Sequence, residues 1–230
     1  MELFTKKDFE FNRSWGVFIA PYRDEFILYI TDVYKRPRRV TEYLKQCPIV
    51  SHKAITPTSK NGKDFVDGQT YVNNAWDDAR AKLYDKILEF YQIQLDPARE
   101  YPPMSMYNQI RMTSDHPGED YFWCPHVDNR SSKEGMLQST LNCITYLTDA
   151  GPAHGTTLYR QVEGGRVPTP EEPVEHEEPW HKIGADYIPD LSIMSTYNSM
   201  AVFPGHIIHG QSITDNSFKD ETRFTEVTFF

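Results

Sequence analysis

Trp123-Cys124-Pro125-His126-Val127-Asp128 and, far downstream, Phe203-Pro204-Gly205-His206-Ile207-Ile208-His209-Gly210 are the stretches that decide how this chain folds and what it can hold. The first ends an aromatic strand on an His-x-Asp pair. The second is a strand–turn–strand signal that carries a distal histidine back across a sheet. At a strand end, residues two apart point alike, so His126 and Asp128 can reach one ion. A second histidine completes a set that fills three positions of a metal and leaves the others open, which suits iron(II). His206 and His209 compete for that third position and face opposite sides in a strand. With Ile208 in the outer core, His209 faces the interior, and the pattern favours it.

One strand further on stands Arg223-Phe224-Thr225. Arg223 and Thr225 alternate onto one face of an apolar strand, where an arginine can hold a carboxylate in a bidentate fork. The His176-Glu177-Glu178 pair lies in a Pro- and Glu-rich run and reads as a solvated charge run.

Outward from these stretches the texture from residue 104 is β. Met104 to Met112 alternates, with Tyr107, Gln109 and Arg111 on one face. Tyr121 to Val127, Leu137 to Leu147, Thr156 to Tyr159, Ser192 to Phe203, Ile207 to Ile213 and Thr222 to Phe229 complete the strands. Residues 163–190 read as a long loop, functional or disordered. Upstream, Phe26 to Ile30 is a buried strand, and Pro37 opens a helix through Leu44 that Pro48 stops. Residues 51–73 are loop with an edge strand near Tyr71. Asn74 caps a helix whose stripe is Trp76, Ala79, Leu83, Ile87 and Phe90 or Tyr91. Residues 1–24 show no clear period.

The 230 residues carry a net charge of −9, which argues against nucleic acid as a partner, because phosphate binding needs a positive field. Lys35-Arg36-Pro37-Arg38-Arg39 is the one basic cluster and reads as a solvated helix start. No apolar run is long enough to span a membrane, and the N-terminus has no signal-peptide pattern. Cys47, Cys124 and Cys143 lack paired spacing, and the latter two read as buried thiols in a reducing, cytoplasmic setting.

Taken together these residues resemble the iron(II)- and 2-oxoglutarate-dependent oxygenases, in particular the prolyl-hydroxylase-like members. The segment Leu141 to Thr148 is similar to the family strand that follows His-x-Asp. His154-Gly155-Thr156-Thr157-Leu158-Tyr159 is similar to its Gly-Gly-x-Thr-x-Phe segment, with His in place of the first Gly. The resemblance implies a mainly β fold with flanking helices, a double-stranded β-helix or jelly roll of the cupin-like kind. Residues 1–230 would form one domain, with 1–103 as N-terminal support and 104–230 as core, the latter carrying the 163–190 insertion. It implies Fe(II) held by His126, Asp128 and His209, and 2-oxoglutarate held by Arg223 with Thr225. Tyr107, Arg111, Asn142 and Tyr146 are further pocket candidates. The implied activity is hydroxylation of a small-molecule or peptidyl substrate with O2 as oxidant. The gap from His209 to Arg223 is somewhat longer than usual in prolyl-hydroxylase-like members; either the turn Thr214 to Asp220 absorbs the excess, or Arg223 is displaced and Arg111 takes the clamp. A cupin-like metal or ligand binder without 2-oxoglutarate turnover, and a β-sandwich interaction module, are the competing readings.

Overall fold

The computed structural model describes residues 4–47, 65–70, 78–94, 104–112, 115–116, 121–123, 125–127, 140–149, 151–162, 180–182 and 187–230. Asn74, Trp76, Cys124, Asp128 and most of 163–190 lie outside the described residues. Among the described residues twelve strands are present: β1 Gly16–Tyr22, β2 Glu25–Thr31, β3 Phe65–Thr70, β4 Met104–Met112, β5 Tyr121–Trp123, β6 Leu141–Tyr146, β7 Thr156–Gln161, β8 Trp180–Lys182, β9 Tyr187–Ile193, β10 Ser199–Pro204, β11 His209–Gln211 and β12 Arg223–Phe229. The described helices are α1 Pro37–Gln46, α2 Asp78–Phe90 and the short α3 Ser217–Asp220.

The chain rolls up as a jelly roll. The first core strand pairs with the last (β4 with β12), the third with the sixth (β6 with β10) and the fourth with the fifth (β7 with β9). The seventh, β11, is bridged antiparallel at His209 to His126, three residues beyond the end of the second, β5. This nested antiparallel pairing defines the double-sheet architecture. One sheet runs β1-β2-β10-β6-β12-β4-β3; the facing one runs β11-β7-β9 and continues to β5 through the histidine bridge, with β8 beyond.

Strands β2, β4, β6, β10 and β12 of the large sheet divide their residues between two cores. Between the sheets lie Met106, Ile144, Tyr146, Phe203 and Val227 against Leu158 and Ile193. On the outer face, Tyr107, Cys143, Val202 and Phe224 pack against Val40 and Leu44 of α1 and Leu83, Tyr84 and Ile87 of α2. Each such buried side chain contributes about 1.5–3 kcal/mol of transfer free energy. Both faces of the sheet's central strands are therefore covered, and β6, β10 and β12 are buried along nearly their whole length, polar residues included.

Several expectations need correction. The stretch Ser192 to Phe203 is two strands, β9 and β10, separated by a turn at Tyr197–Asn198. Asn198 takes φ 64 there, and its side chain brackets Tyr34 through Oδ1 (2.8 Å) and Nδ2 (3.0 Å). The region 163–190 is not all loop: it contains β8 and the start of β9. Residues 16–22, with no period to read, form β1 at the sheet edge, exposed along most of its length. Helix α2 is described from Asp78, so the expected cap Asn74 and stripe residue Trp76 lie outside the described residues; its buried side includes Arg80 and Tyr84 as well as Leu83 and Ile87. Cys143 is a buried free thiol and Cys47 a partly buried one. No described helix is long and apolar enough to cross a membrane.

Candidate functional site

His126 and His209 form a hydrogen-bonded antiparallel pair, each amide donating to the other's carbonyl at 2.9 Å. Directly opposed residues project to the same face. Their rings accordingly lie together, with centroids 4.4 Å apart. His209 is buried at 4% exposure, set edge-on to Phe203 at 4.9 Å, whereas His126 is exposed. One ring is thus fixed inside the roll and the other stands at its rim. The Nδ1 of His209 lies 2.9 Å from the Ile207 carbonyl. Donating there fixes the tautomer in which Nε2 carries the lone pair, the usual arrangement behind a metal-binding imidazole.

His206 points away from the interior, half-exposed beside Glu25 at 3.4 Å. Ile208 packs outward against Tyr159 and Tyr187. The alternation that favours His209 over His206 is the one the structure adopts. Asp128 lies outside the described residues, and among those described no three metal-binding side chains cluster.

Arg223 opens β12 and is 3% exposed. Its Nε donates to the His154 carbonyl (3.3 Å) and its Nη2 to the Gly155 carbonyl (3.0 Å). Thr225 follows on the same face, opposite Tyr146 of β6 and Asn108 of β4. The Tyr146 hydroxyl meets Thr156 Oγ1 at 2.7 Å, bridging the two sheets beside Arg223. Burial pushes the Tyr146 phenol up to about 12, against the pull of the Thr156 hydroxyl and the Arg223 charge, so it stays protonated and able to donate. Asn142, fully buried, shares the inner face with Tyr146. The segment between His209 and Arg223 contains the short helix α3, whose Phe218 is buried.

Two pocket candidates are not brought to this site. Tyr107 pairs with Glu226 and faces the helices, its hydroxyl 2.9 Å from that of Tyr34. Arg111 shares that face and reaches the Lys219 carbonyl at the exposed end of β4. The reason is register: Arg223 and Thr225 lie opposite Ile110 and Asn108, so the inner face of β4 is the even-numbered one. Asn108 is the residue the sequence reading misses. Its Oδ1 is buried without a hydrogen-bond partner among the described residues. A lone amide between Met106 and Ile110 is the signal that could have found it. Thr156 is a second such residue, visible only through its contact with Tyr146.

No family model matches the chain, and no curated protein matches it. Among solved structures it is similar to a Pseudomonas putida prolyl-4-hydroxylase, at 9% identity over 84% of each chain with a TM-score of 0.38. It is also similar to AviO1 from Streptomyces viridochromogenes Tue57, at 15% identity over 70% of this chain and 64% of that one, TM-score 0.35. A third is SnoK, a non-heme alpha-ketoglutarate-dependent carbocyclase from nogalamycin biosynthesis, at 12% identity over 78% and 83%, TM-score 0.28. These likenesses are distant, and the jelly-roll assignment rests on the strand pairing itself.

Proposed function

We propose that this chain is an iron(II)- and 2-oxoglutarate-dependent oxygenase that hydroxylates a small-molecule or peptidyl substrate. The observation that carries this reading is the paired His126 and His209 on one strand bridge, at the mouth of a roll that also buries Arg223. The donor set fits the group: two imidazoles, one with its tautomer fixed by the Ile207 carbonyl, and a carboxylate at Asp128 two residues from His126. When bound, iron(II) with 2-oxoglutarate and O2 supplies the oxidising power for hydroxylation.

The chain's own contribution is binding and orientation. Along β7, Gly155 meets the Arg223 guanidinium, Thr156 meets Tyr146, and Leu158 stands opposite His209. Three residues of strand, roughly 10 Å, separate the arginine end from the histidine end. That is a span a five-carbon diacid between an ion and a guanidinium can occupy. Arg223 would hold the distal carboxylate, with Thr225 and the protonated Tyr146 as neutral donors. Ile144, Leu158, Phe203 and Val227 keep the surroundings dry.

The test is an anaerobic titration of the iron(II)-loaded protein with 2-oxoglutarate, read by the visible charge-transfer band of the chelate. A saturable band that is lost in His209→Ala and strongly weakened in Arg223→Ala is the expected result. Iron binding without a band would overturn the reading in favour of a cupin-like metal-binding protein. No iron binding would leave the interaction module.

A further inference from the structure

The carbonyls that orient Arg223 belong to His154 and Gly155, which end a 3-10 turn at Pro152–His154 and enter β7. Gly155 is fixed in place. A Cβ there would stand 1.8 Å from the Ile193 carbonyl oxygen, and its own carbonyl also accepts from the Ser212 amide at 3.1 Å. The His154 ring is 4% exposed and sits edge-on to Phe218, with centroids 4.9 Å apart. Its Nε2 is 3.6 Å from Asp215 Oδ1. Asp215 and Phe218 belong to the segment that joins His209 to Arg223, so His154 touches the connection between the two ends of the site.

A histidine kept here for packing alone would be a poor choice. Its Nδ1 is buried with no hydrogen-bond partner among the described residues. Leaving such a group unpaired is unfavourable, and an apolar side chain of similar volume would avoid it. Burial holds the imidazole below its ordinary pKa, with Asp215 opposing and the Arg223 charge adding to the effect. The ring therefore sits neutral near neutral pH and adds no second charge beside the guanidinium.

We propose that His154, braced by Asp215 and Phe218, is a positioning residue that sets the angle of the Arg223 fork toward the cosubstrate's distal carboxylate. This rests on the oxygenase reading, in which Arg223 binds that carboxylate. His154 acts through its carbonyl and its packing; it does not touch the reacting atoms. A small shift of a bidentate donor costs disproportionate affinity, because both hydrogen bonds depend on one plane.

The test uses the full chain loaded with Mn(II) as a redox-silent probe metal, and reads 2-oxoglutarate affinity by calorimetry beside Mn(II) affinity and the melting temperature. His154→Ala is expected to weaken 2-oxoglutarate binding about tenfold with Mn(II) affinity unchanged. His154→Gln is expected to recover part of the loss, and Asp215→Asn to weaken binding by a smaller factor. Asp215 is 58% exposed, so its variant carries the test if His154→Ala does not fold. Wild-type protein that binds Mn(II) but no 2-oxoglutarate overturns both the oxygenase reading and this inference. Wild-type binding with unchanged affinity in the variants overturns the inference alone. So does a parallel loss of metal affinity, cosubstrate affinity and melting temperature, which is the pattern of a merely structural residue.

Discussion

At the scale of single residues, the site depends on positions whose neighbours leave no room for substitution. Gly155 is the sharpest case: any side chain would drive into the Ile193 carbonyl oxygen and the Ser195 amide, both backbone atoms. Gly155→Ala is expected to destabilise the protein by roughly 2–4 kcal/mol, read as a lowered denaturation midpoint. Where it folds, it should also weaken 2-oxoglutarate binding, because the Gly155 carbonyl orients Arg223. An unchanged midpoint would mean that the β7–β9 approach is looser than its geometry shows. The burial of His209 is legible in the sequence because Phe203-Pro204-Gly205 and the apolar Ile207 and Ile208 around it mark a turn into a strand. Tyr107 and Asn108 are not separable in that way. Both alternations along β4 carry polar groups, and only the register against β12 decides which one faces inward.

At the scale of elements, α2 is held to the large sheet by a buried polar cluster as well as by its apolar stripe. Arg80 Nη1 meets Glu226 Oε1 at 2.6 Å, and its Nη2 meets the Tyr34 hydroxyl at 3.0 Å. Glu226 also accepts from Tyr34 and from Ser105. The guanidinium stacks 4.0 Å over the Phe11 ring. Glu226→Gln leaves a buried charge without its counter-ion and is expected to cost about 3–5 kcal/mol in chemical denaturation. The double variant Arg80→Met with Glu226→Gln should cost less than the sum of the two single changes, since the ions compensate one another. The N-terminal turn Lys6–Phe9 braces α1 by a different device. Asp8 accepts from the Thr5 amide at 2.9 Å and pairs with Arg36 and Arg39. The Thr5 amide, opposed by burial and aided by Arg36, holds the Asp8 carboxyl below its ordinary pKa. A depressed folded pKa gives stability that is complete above the unfolded value of about 3.9 and is lost as pH falls through the folded one. The advantage of wild type over Asp8→Asn should therefore be constant near neutrality and shrink as pH falls below the unfolded value of about 3.9. Amide exchange in α1 measures it.

At the scale of the whole molecule, the roll brings together groups that no segment holds alone. His126 follows the second core strand, His209 lies on the seventh and Arg223 opens the eighth; the roll pairs the two histidines and sets the Arg223 guanidinium on the His154 and Gly155 carbonyls at the start of the fourth. A ligand that bridges them binds only the folded state. Saturating Mn(II) with 2-oxoglutarate at about a hundred times Kd should add about 2.7 kcal/mol of stability, a rise of roughly 5–10 °C in Tm. Added chelator should reverse it. A Tm indifferent to both ligands would count against the site as a whole.

The sequence by itself determines the alternating strands, the Pro-started helix α1, the burial of His209 with His206 outside, and the buried start of the last strand at Arg223. Each is written in local periodicity or turn chemistry, which depends on backbone geometry alone. Only the tertiary structure decides the rest. The turn at Asn198 splits one apolar run into β9 and β10 because the side chain's partners, the amide and carbonyl of Tyr34, lie far away in the chain. Arg80 and Glu226 look like surface charges on a helix and a strand until the sheet lays one against the other. His154 looks like a turn residue until the segment between β11 and β12 folds back over it. Long-range pairing chooses between faces and partners that are locally equivalent, and no local pattern carries that choice.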